Sequence, residues 1–163
     1  MKMPLVVSDV VLAPGQVSFA TRPTRLRTLL GSCVAFTFWH PERLIGGMCH
    51  FMLPTRLCRG LSLDGKYADE AVELLLRHAH AHCTRPEDYQ VKLFGGGNMF
   101  PEQQHHPSKQ NVASLNIRAA LDLTERYHLH LTAQDMGSTG CRMIVFDLWS
   151  GNVWVRHQPM GTL

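Results

Sequence analysis

The feature that most constrains this chain is a pair of apolar runs on either side of His40-Pro41-Glu42-Arg43. Upstream lies Thr28-Leu29-Leu30-Gly31-Ser32-Cys33-Val34-Ala35-Phe36-Thr37-Phe38-Trp39, and downstream Ile45-Gly46-Gly47-Met48-Cys49-His50-Phe51-Met52-Leu53-Pro54. The four residues between them suit a type I turn, with proline where its fixed φ is favoured, so the runs predict a β-hairpin. Alternation sends Val34, Phe36, Phe38, Ile45, Phe51 and Leu53 to one face and Ala35, Trp39, Leu44, Met48 and Met52 to the other. A strand that is apolar on both faces has to be covered on both. The hairpin therefore predicts a layered fold.

With Trp39 paired to Leu44, Cys33 falls directly opposite His50, and directly opposed residues have Cβ atoms about 4.5 to 5.5 Å apart. A slip of two residues keeps the pair on one face, whereas a slip of one separates them. The arrangement matters chemically. A free thiol is only a few per cent ionised at neutral pH, and an adjacent imidazole can take its proton. The thiolate then attacks an acyl carbon, the imidazolium protonates the leaving group, and water repeats the cycle. Gly31 and Ser32 permit a tight turn before the thiol, and its backbone N–H groups are candidates for binding an oxyanion. Thr28 is a candidate to orient His50. Taken singly, a cysteine in an apolar strand reads as a small buried hydrophobe and a histidine as a satisfied core residue. Residue chemistry alone leaves catalysis and packing both open.

These same residues carry a resemblance. Thr-Leu-Leu-Gly-Ser-Cys-Val-Ala followed by Gly-Gly-Met-Cys-His-Phe-Met-Leu-Pro closely resembles the signature of the chemoreceptor glutamine deamidase family, CheD. Further pieces similar to that family follow in order: Lys66-Tyr67-Ala68-Asp69, Lys92 to Phe100 with Gly95-Gly96-Gly97-Asn98 inside it, and Asp135-Met136-Gly137 before Arg142. The resemblance implies an α/β sandwich with Cys33 as nucleophile, His50 as base and Thr28 as the third member. It implies a protein-glutamine amidohydrolase acting on the cytoplasmic helices of methyl-accepting chemoreceptors through a thioester. Glutamyl methylesterase activity and a CheC-type phosphatase partner are further implications. The chain departs from the family in places. Val112-Ala113-Ser114-Leu115-Asn116 stands where Ile-Gly-x-Arg-Asn is common, Ser138 replaces a glycine, and Cys141 precedes Arg142 where glycine is usual.

Length and composition fit one compact domain across residues 1–163. The chain has 163 residues, of which 45% are hydrophobic, enough for a sizeable core. Five cysteines without paired spacing, and no signal pattern, point to reduced thiols in the cytoplasm. No apolar run approaches the roughly 20 residues of a membrane span, so no membrane insertion is expected. A net charge of +3 is mild, and Arg22, Arg25 and Arg27 read as a solvated edge that helps dock an acidic protein surface, not as a nucleic-acid footprint.

Periodicity predicts strands near Leu5 to Leu12 and Gln16 to Ala20, then the hairpin, then a loop of about a dozen residues to Lys66. Tyr67 to Cys83 reads as a helix whose apolar face holds Ala68, Ala71, Val72, Leu74, Leu75 and Ala79. Strand Tyr89 to Phe94 leads into the glycines. A second helix spans about Lys109 to Tyr127, with Val112, Leu115, Ala119, Ala120 and Leu123 at helical spacing. Strands His128 to Gln134, Arg142 to Trp149 and Asn152 to Arg156 close a mixed, largely antiparallel sheet layered against two helices.

Several motifs have plainer readings. Gly95-Gly96-Gly97 lacks the Lys-Ser/Thr ending of a phosphate-binding loop and the spacing of a dinucleotide fingerprint, so it reads as a turn shaping the rim, with Gly96 and Asn98 as candidate substrate contacts. His78, His80 and His82 form a solvated helix face, since no acidic residue completes a zincin pattern, and His105-His106 reads the same way. Cys49 points away from His50 into the core, and Cys58 lies in the loop after the hairpin. No cofactor and no metal are expected. A general cysteine peptidase or small-molecule amidase is disfavoured because the papain-like pattern of a cysteine and a distant histidine is absent and the partner lies nearby on the hairpin. A catalytically silent docking module for chemoreceptors or a chemotaxis phosphatase stays open as the alternative.

Overall fold

Gly31-Ser32 divides the upstream run, and its two halves enter different sheets. The computed structural model describes residues 3–101 and 111–161. Along the chain run β1 (Ser8–Val11), β2 (Val17–Thr21), β3 (Thr24–Leu30), β4 (Val34–His40), β5 (Ile45–Cys49), α1 (Ala68–Ala81), β6 (Gln90–Gly95), α2 (Val112–Arg126), β7 (His130–Met136), β8 (Cys141–Asp147) and β9 (Asn152–Gln158). One sheet has the order β1-β3-β8-β9, the other β2-β5-β4-β6-β7. Both are mixed, because β1 runs parallel to β3 and β6 parallel to β7 while the remaining pairs are antiparallel. The expected α/β sandwich is present. It contains two stacked sheets where periodicity had suggested one.

The physical reason lies in Thr24-Arg25-Leu26-Arg27-Thr28-Leu29-Leu30. Its strict alternation buries Thr24, Leu26, Thr28 and Leu30 and turns Arg25, Arg27 and Leu29 outward, which is the signature of a strand covered on one side. The arginines are thus the outer face of β3. Arg25 pairs with Asp147 on β8 at 2.6 Å, and Arg27 with Asp9 on β1 at 2.8 Å.

The five-stranded sheet is the middle layer. Between it and the other sheet lie Leu26, Leu30, Ala35, Met48, Phe94, Ile144, Phe146 and Leu148. On its opposite face Val34, Phe36, Phe38, Cys49 and Phe51 meet Ala71, Val72, Leu75 and Ala79 of α1 and Ala120 and Leu123 of α2. The double covering expected from the hairpin is therefore observed, and each fully buried phenylalanine contributes roughly 1.5–3 kcal/mol.

Helix faces deviate slightly from expectation. On α1, Leu76 packs against the core where Leu74 was expected. On α2 the buried set is Ala113, Asn116, Ala120 and Leu123, and Val112 is exposed, so the face is turned by one residue. Asn111 caps α2 by accepting from the Ala113 N–H at 3.0 Å. The expected start of that helix at Lys109, and His105-His106, lie outside the described residues.

The hairpin register also differs. His40 pairs with Ile45 and Thr37 with Met48, so the turn is Pro41–Leu44, closed by the Leu44 N–H donating to the His40 carbonyl at 2.9 Å. Leu44 takes a left-handed φ of 52° to re-enter the strand. The last pair is Val34 with Phe51. Relative to the expected register this is a slip of two, which preserves faces and makes Cys33 a diagonal neighbour of His50. The two residues sit just beyond the ends of β4 and β5, on the side facing the other sheet.

Candidate active site

Thr28 and His50 meet between the two sheets, and Cys33 packs on that same side of the middle sheet. Thr28 comes from β3 in one sheet, while Cys33 and His50 flank β4 and β5 in the other. His50 is rigidly tied. Its N–H donates to the Gln16 carbonyl at 3.0 Å, and its carbonyl accepts from the Gly15 N–H at 2.7 Å. The Pro14-Gly15 turn thus anchors the imidazole's backbone.

The imidazole tautomer follows from a count of protons. Thr28 Oγ1 has one hydrogen, which it donates to the Leu12 carbonyl at 2.9 Å. The 2.7 Å contact between Thr28 Oγ1 and His50 Nδ1 therefore has Nδ1–H donating to the hydroxyl. Nε2 is left with a lone pair. It is buried and has no hydrogen-bond partner among the described residues. Burial holds the His50 pKa down at about 4, so the ring is neutral and basic at physiological pH.

Cys33 is half-buried, and burial raises its thiol pKa, with its own backbone N–H acting in the opposite direction. No hydrogen bond joins Cys33 to His50 in this state, as expected of a diagonal pair. A diagonal is within reach of long side chains. The resting pair is a neutral thiol and a neutral imidazole. Cys49 differs sharply: it is fully buried in the helix-side core, and desolvation pushes its thiol up to about 12.

The turn before Cys33 is clamped through its carbonyls. Gly31 O accepts from the Gly97 N–H at 2.8 Å, and Cys33 O from the Gly96 N–H at 2.8 Å. Between them, Ser32 O accepts from Asn116 Nδ2 at 3.0 Å. Among the described residues the Ser32 and Cys33 N–H groups meet no backbone acceptor, which leaves two adjacent donors beside the thiol. The glycine run thus shapes the site by gripping the nucleophile turn. A side chain at Gly97 would collide with the Gly140 carbonyl, and Gly96 has a left-handed φ of 64°.

Gly96 spends its N–H on that grip. Asn98 accepts from the Phe100 N–H through Oδ1, and its Nδ2 is buried and unpartnered. The third orphaned atom among the described residues is Asn116 Oδ1. All three orphans thus belong to His50, to the glycine turn, or to the side chain gripping Ser32, and such concentration marks functional ground. Residue reading singled out His50 and Asn98. It missed the grip of Asn116, whose signal was a polar residue on the apolar face of α2.

Two altered family positions, Ala113 and Ser138, line a cleft beside the site together with Gly96, Asn98, Ser114 and Ile117. Ser138 has a left-handed φ of 61°, which explains why glycine suits that place. Arg142, although buried, is satisfied by Asp135 at 2.9 Å and the Gly137 carbonyl at 2.8 Å, and so holds this loop to β8. His78 and His80 are exposed on α1 as expected, and His78 stacks on Phe19 at 5.4 Å between ring centroids. Cys58 is exposed on the loop that follows the hairpin. No helix among the described residues is long and apolar enough to cross a membrane.

Comparison with known proteins assigns the chain a family. The profile of the family described as CheD chemotactic sensory transduction matches residues 52–157. A probable chemoreceptor glutamine deamidase CheD of Pseudomonas fluorescens is 75% identical over 163 residues, covering 100% of this chain and 92% of the relative. One from Dechloromonas aromatica is 42% identical over 97% of this chain and 92% of the relative. Another, from Leptospira interrogans, is 37% identical over 94% of this chain and 95% of the relative. The profile match over most of the chain and these near full-length identities show that the chain belongs to the CheD family.

Proposed function

We propose that this protein is a cytoplasmic deamidase that converts glutamine side chains on the cytoplasmic helices of chemoreceptors to glutamate, with Cys33 as nucleophile, His50 as base and Thr28 holding the imidazole. The observation that carries the mechanism is the tautomer: with Nδ1–H committed to Thr28, Nε2 is the unprotonated, unpartnered nitrogen on the face that Cys33 shares.

His50 Nε2 takes the thiol proton as sulfur attacks the carboxamide carbon, which avoids a free thiolate in a site whose burial disfavours charge. The oxygen that becomes negative is received by the Ser32 and Cys33 N–H groups, the pair left free by the clamped carbonyls. Collapse of the tetrahedral adduct breaks the C–N bond, and the imidazolium gives its proton to the departing ammonia. Water, activated by the same nitrogen, then cleaves the thioester to release glutamate and restore the thiol. A glutamyl methyl ester fits this route, with methanol leaving in place of ammonia. Gly31 supports the nucleophile turn, and Gly96 with Asn98 borders the approach to it. A CheC-type phosphatase is the partner that family membership suggests for the loop and helix surfaces.

The test is to incubate the protein with chemoreceptor cytoplasmic fragments and follow the gain of about one dalton at glutamines by mass spectrometry. Wild-type protein should produce it, and Cys33→Ala and His50→Ala should not. Binding of receptor without any mass change would establish the docking module instead.

A further inference from the structure

The ladder between β4 and β5 ends at Val34 and Phe51, yet the chain on each side continues for a few residues in close company. Ser32 on one side and Met52 on the other carry carbonyls with no backbone partner. Both are taken by one side chain: Asn116 Nδ2 donates to Ser32 O at 3.0 Å and to Met52 O at 2.9 Å. Asn116 is fully buried on the inner face of α2. With two carbonyls facing it, the amide has only one tolerable orientation, since the flipped form would set Oδ1 against both oxygens. Its two protons act as one further rung, spanning the segment that precedes the thiol and the segment that follows the imidazole.

That rung does more than join strands. A trans peptide is planar, so its C=O and N–H point in opposite directions. Fixing the Ser32 carbonyl toward α2 fixes the Cys33 N–H away from α2, on the side of the Cys33 sulfur. We propose that Asn116 is a positioning residue for the reaction: by gripping Ser32 O and Met52 O it aims the Cys33 N–H at the developing oxyanion and holds the Cys33 and His50 segments in their diagonal register. The inference rests on the deamidase reading above and deepens it. Asn116 itself touches no reacting atom.

A merely structural asparagine would lower stability and leave the chemistry of folded protein intact. The test therefore uses the full chain with Asn116→Ala and Asn116→Ser, reading kcat and KM for receptor-fragment deamidation and, separately, the alkylation rate of Cys33 by iodoacetamide at alkaline pH. Alkylation at sulfur needs no oxyanion donor. In folded variants we expect kcat to fall about 10²- to 10³-fold, the loss typical of one oxyanion donor, with KM and alkylation nearly unchanged. An unchanged kcat overturns the inference. So does a kcat loss matched by an equal loss of alkylation.

Should neither variant fold, wild-type protein labelled with ¹⁵N decides. A peptide carrying glutamate γ-semialdehyde adds the Cys33 thiol across its C=O bond, forming S–C and moving the thiol proton to oxygen by way of His50. The Cys33 amide proton should shift downfield in the adduct, and the Asn116 side-chain amide should exchange slowly throughout. An unshifted Cys33 amide, or a freely exchanging Asn116 amide, overturns the proposal. Wild-type protein that fails to deamidate any cognate receptor fragment sinks the deamidase reading itself. Active wild type beside an equally active Asn116→Ala sinks only this inference.

Discussion

Cys49 and His50 are adjacent in sequence but serve opposite faces of one sheet, and the contrast between those faces explains where chemistry can occur. On the helix side, Val34, Phe36, Phe38, Cys49 and Phe51 pack into an apolar cluster, and desolvation pushes the Cys49 thiol up to about 12. On the sheet side, His50 meets Thr28, a hydroxyl contributed by a strand of the other sheet, and Cys33 packs on that same side. Two cysteines of one hairpin thus differ in surroundings because of strand parity and of what the facing layer presents. Burial alone yields an inert thiol.

The sharpest way to break this comparison is to exchange the consequences. Cys33→Ala should abolish deamidation with little change in the denaturation midpoint, whereas Cys49→Ala should retain activity. If Cys49→Ala is the inactive variant in the mass assay, the assignment of faces is wrong. His50→Ala follows in size, with an expected loss of about 10²- to 10⁴-fold in kcat, the usual range for a general base.

The face holding His50 should also show itself in stability against pH. The folded pKa of about 4 lies below the ordinary imidazole value of 6.5, so the unfolded chain binds more protons between those values. Stability therefore rises with pH across that window and is lost as pH falls from about 6.5 toward 4, by up to ~3 kcal/mol. Urea midpoints at pH 7 and pH 4.5 measure it. His50→Gln should remove most of the difference, and an equal loss in that variant would show that His50 is not its source.

Thr28→Val keeps the shape of the side chain and removes the hydroxyl, leaving His50 Nδ1 and the Leu12 carbonyl without their partner. It should cost about 1–3 kcal/mol by chemical denaturation and lower kcat by on the order of tenfold, because the tautomer is no longer enforced. A stability loss with full kcat would reduce Thr28 to a structural link. The smallest effects concern packing and backbone. Cys49→Ala should cost about 1 kcal/mol, and Ser138→Gly should gain about 1 kcal/mol by relieving a left-handed serine. Thermal melts resolve both.

Much of this was legible in residues. Alternation across the runs flanking Pro41 predicted a doubly covered hairpin and put Cys33 and His50 on one face, and both faces are covered as expected. The register was off by two residues, since Leu44 was placed in the strand and in fact closes the turn with a left-handed φ. Faces survive such a slip, because the side-chain period of a strand is two. Strand β3 was overlooked for a different reason. Its arginines looked like a loop edge, and only the partners Asp9 and Asp147 on neighbouring strands reveal an exposed sheet face.

Local pattern accounts for strands, helices, the apolar layers and the shared face of thiol and imidazole, because each depends on periodicities a few residues long. Family resemblance extended this to a substrate class. What no local pattern contains is the direction of a hydrogen bond between distant segments. That Thr28 passes its proton to Leu12 and so leaves His50 Nε2 bare, and that Asn116 reaches across from α2 to grip Ser32 and Met52, are facts of tertiary structure. They arise where layers meet, since a buried polar group must find its partner in whichever segment packing brings beside it.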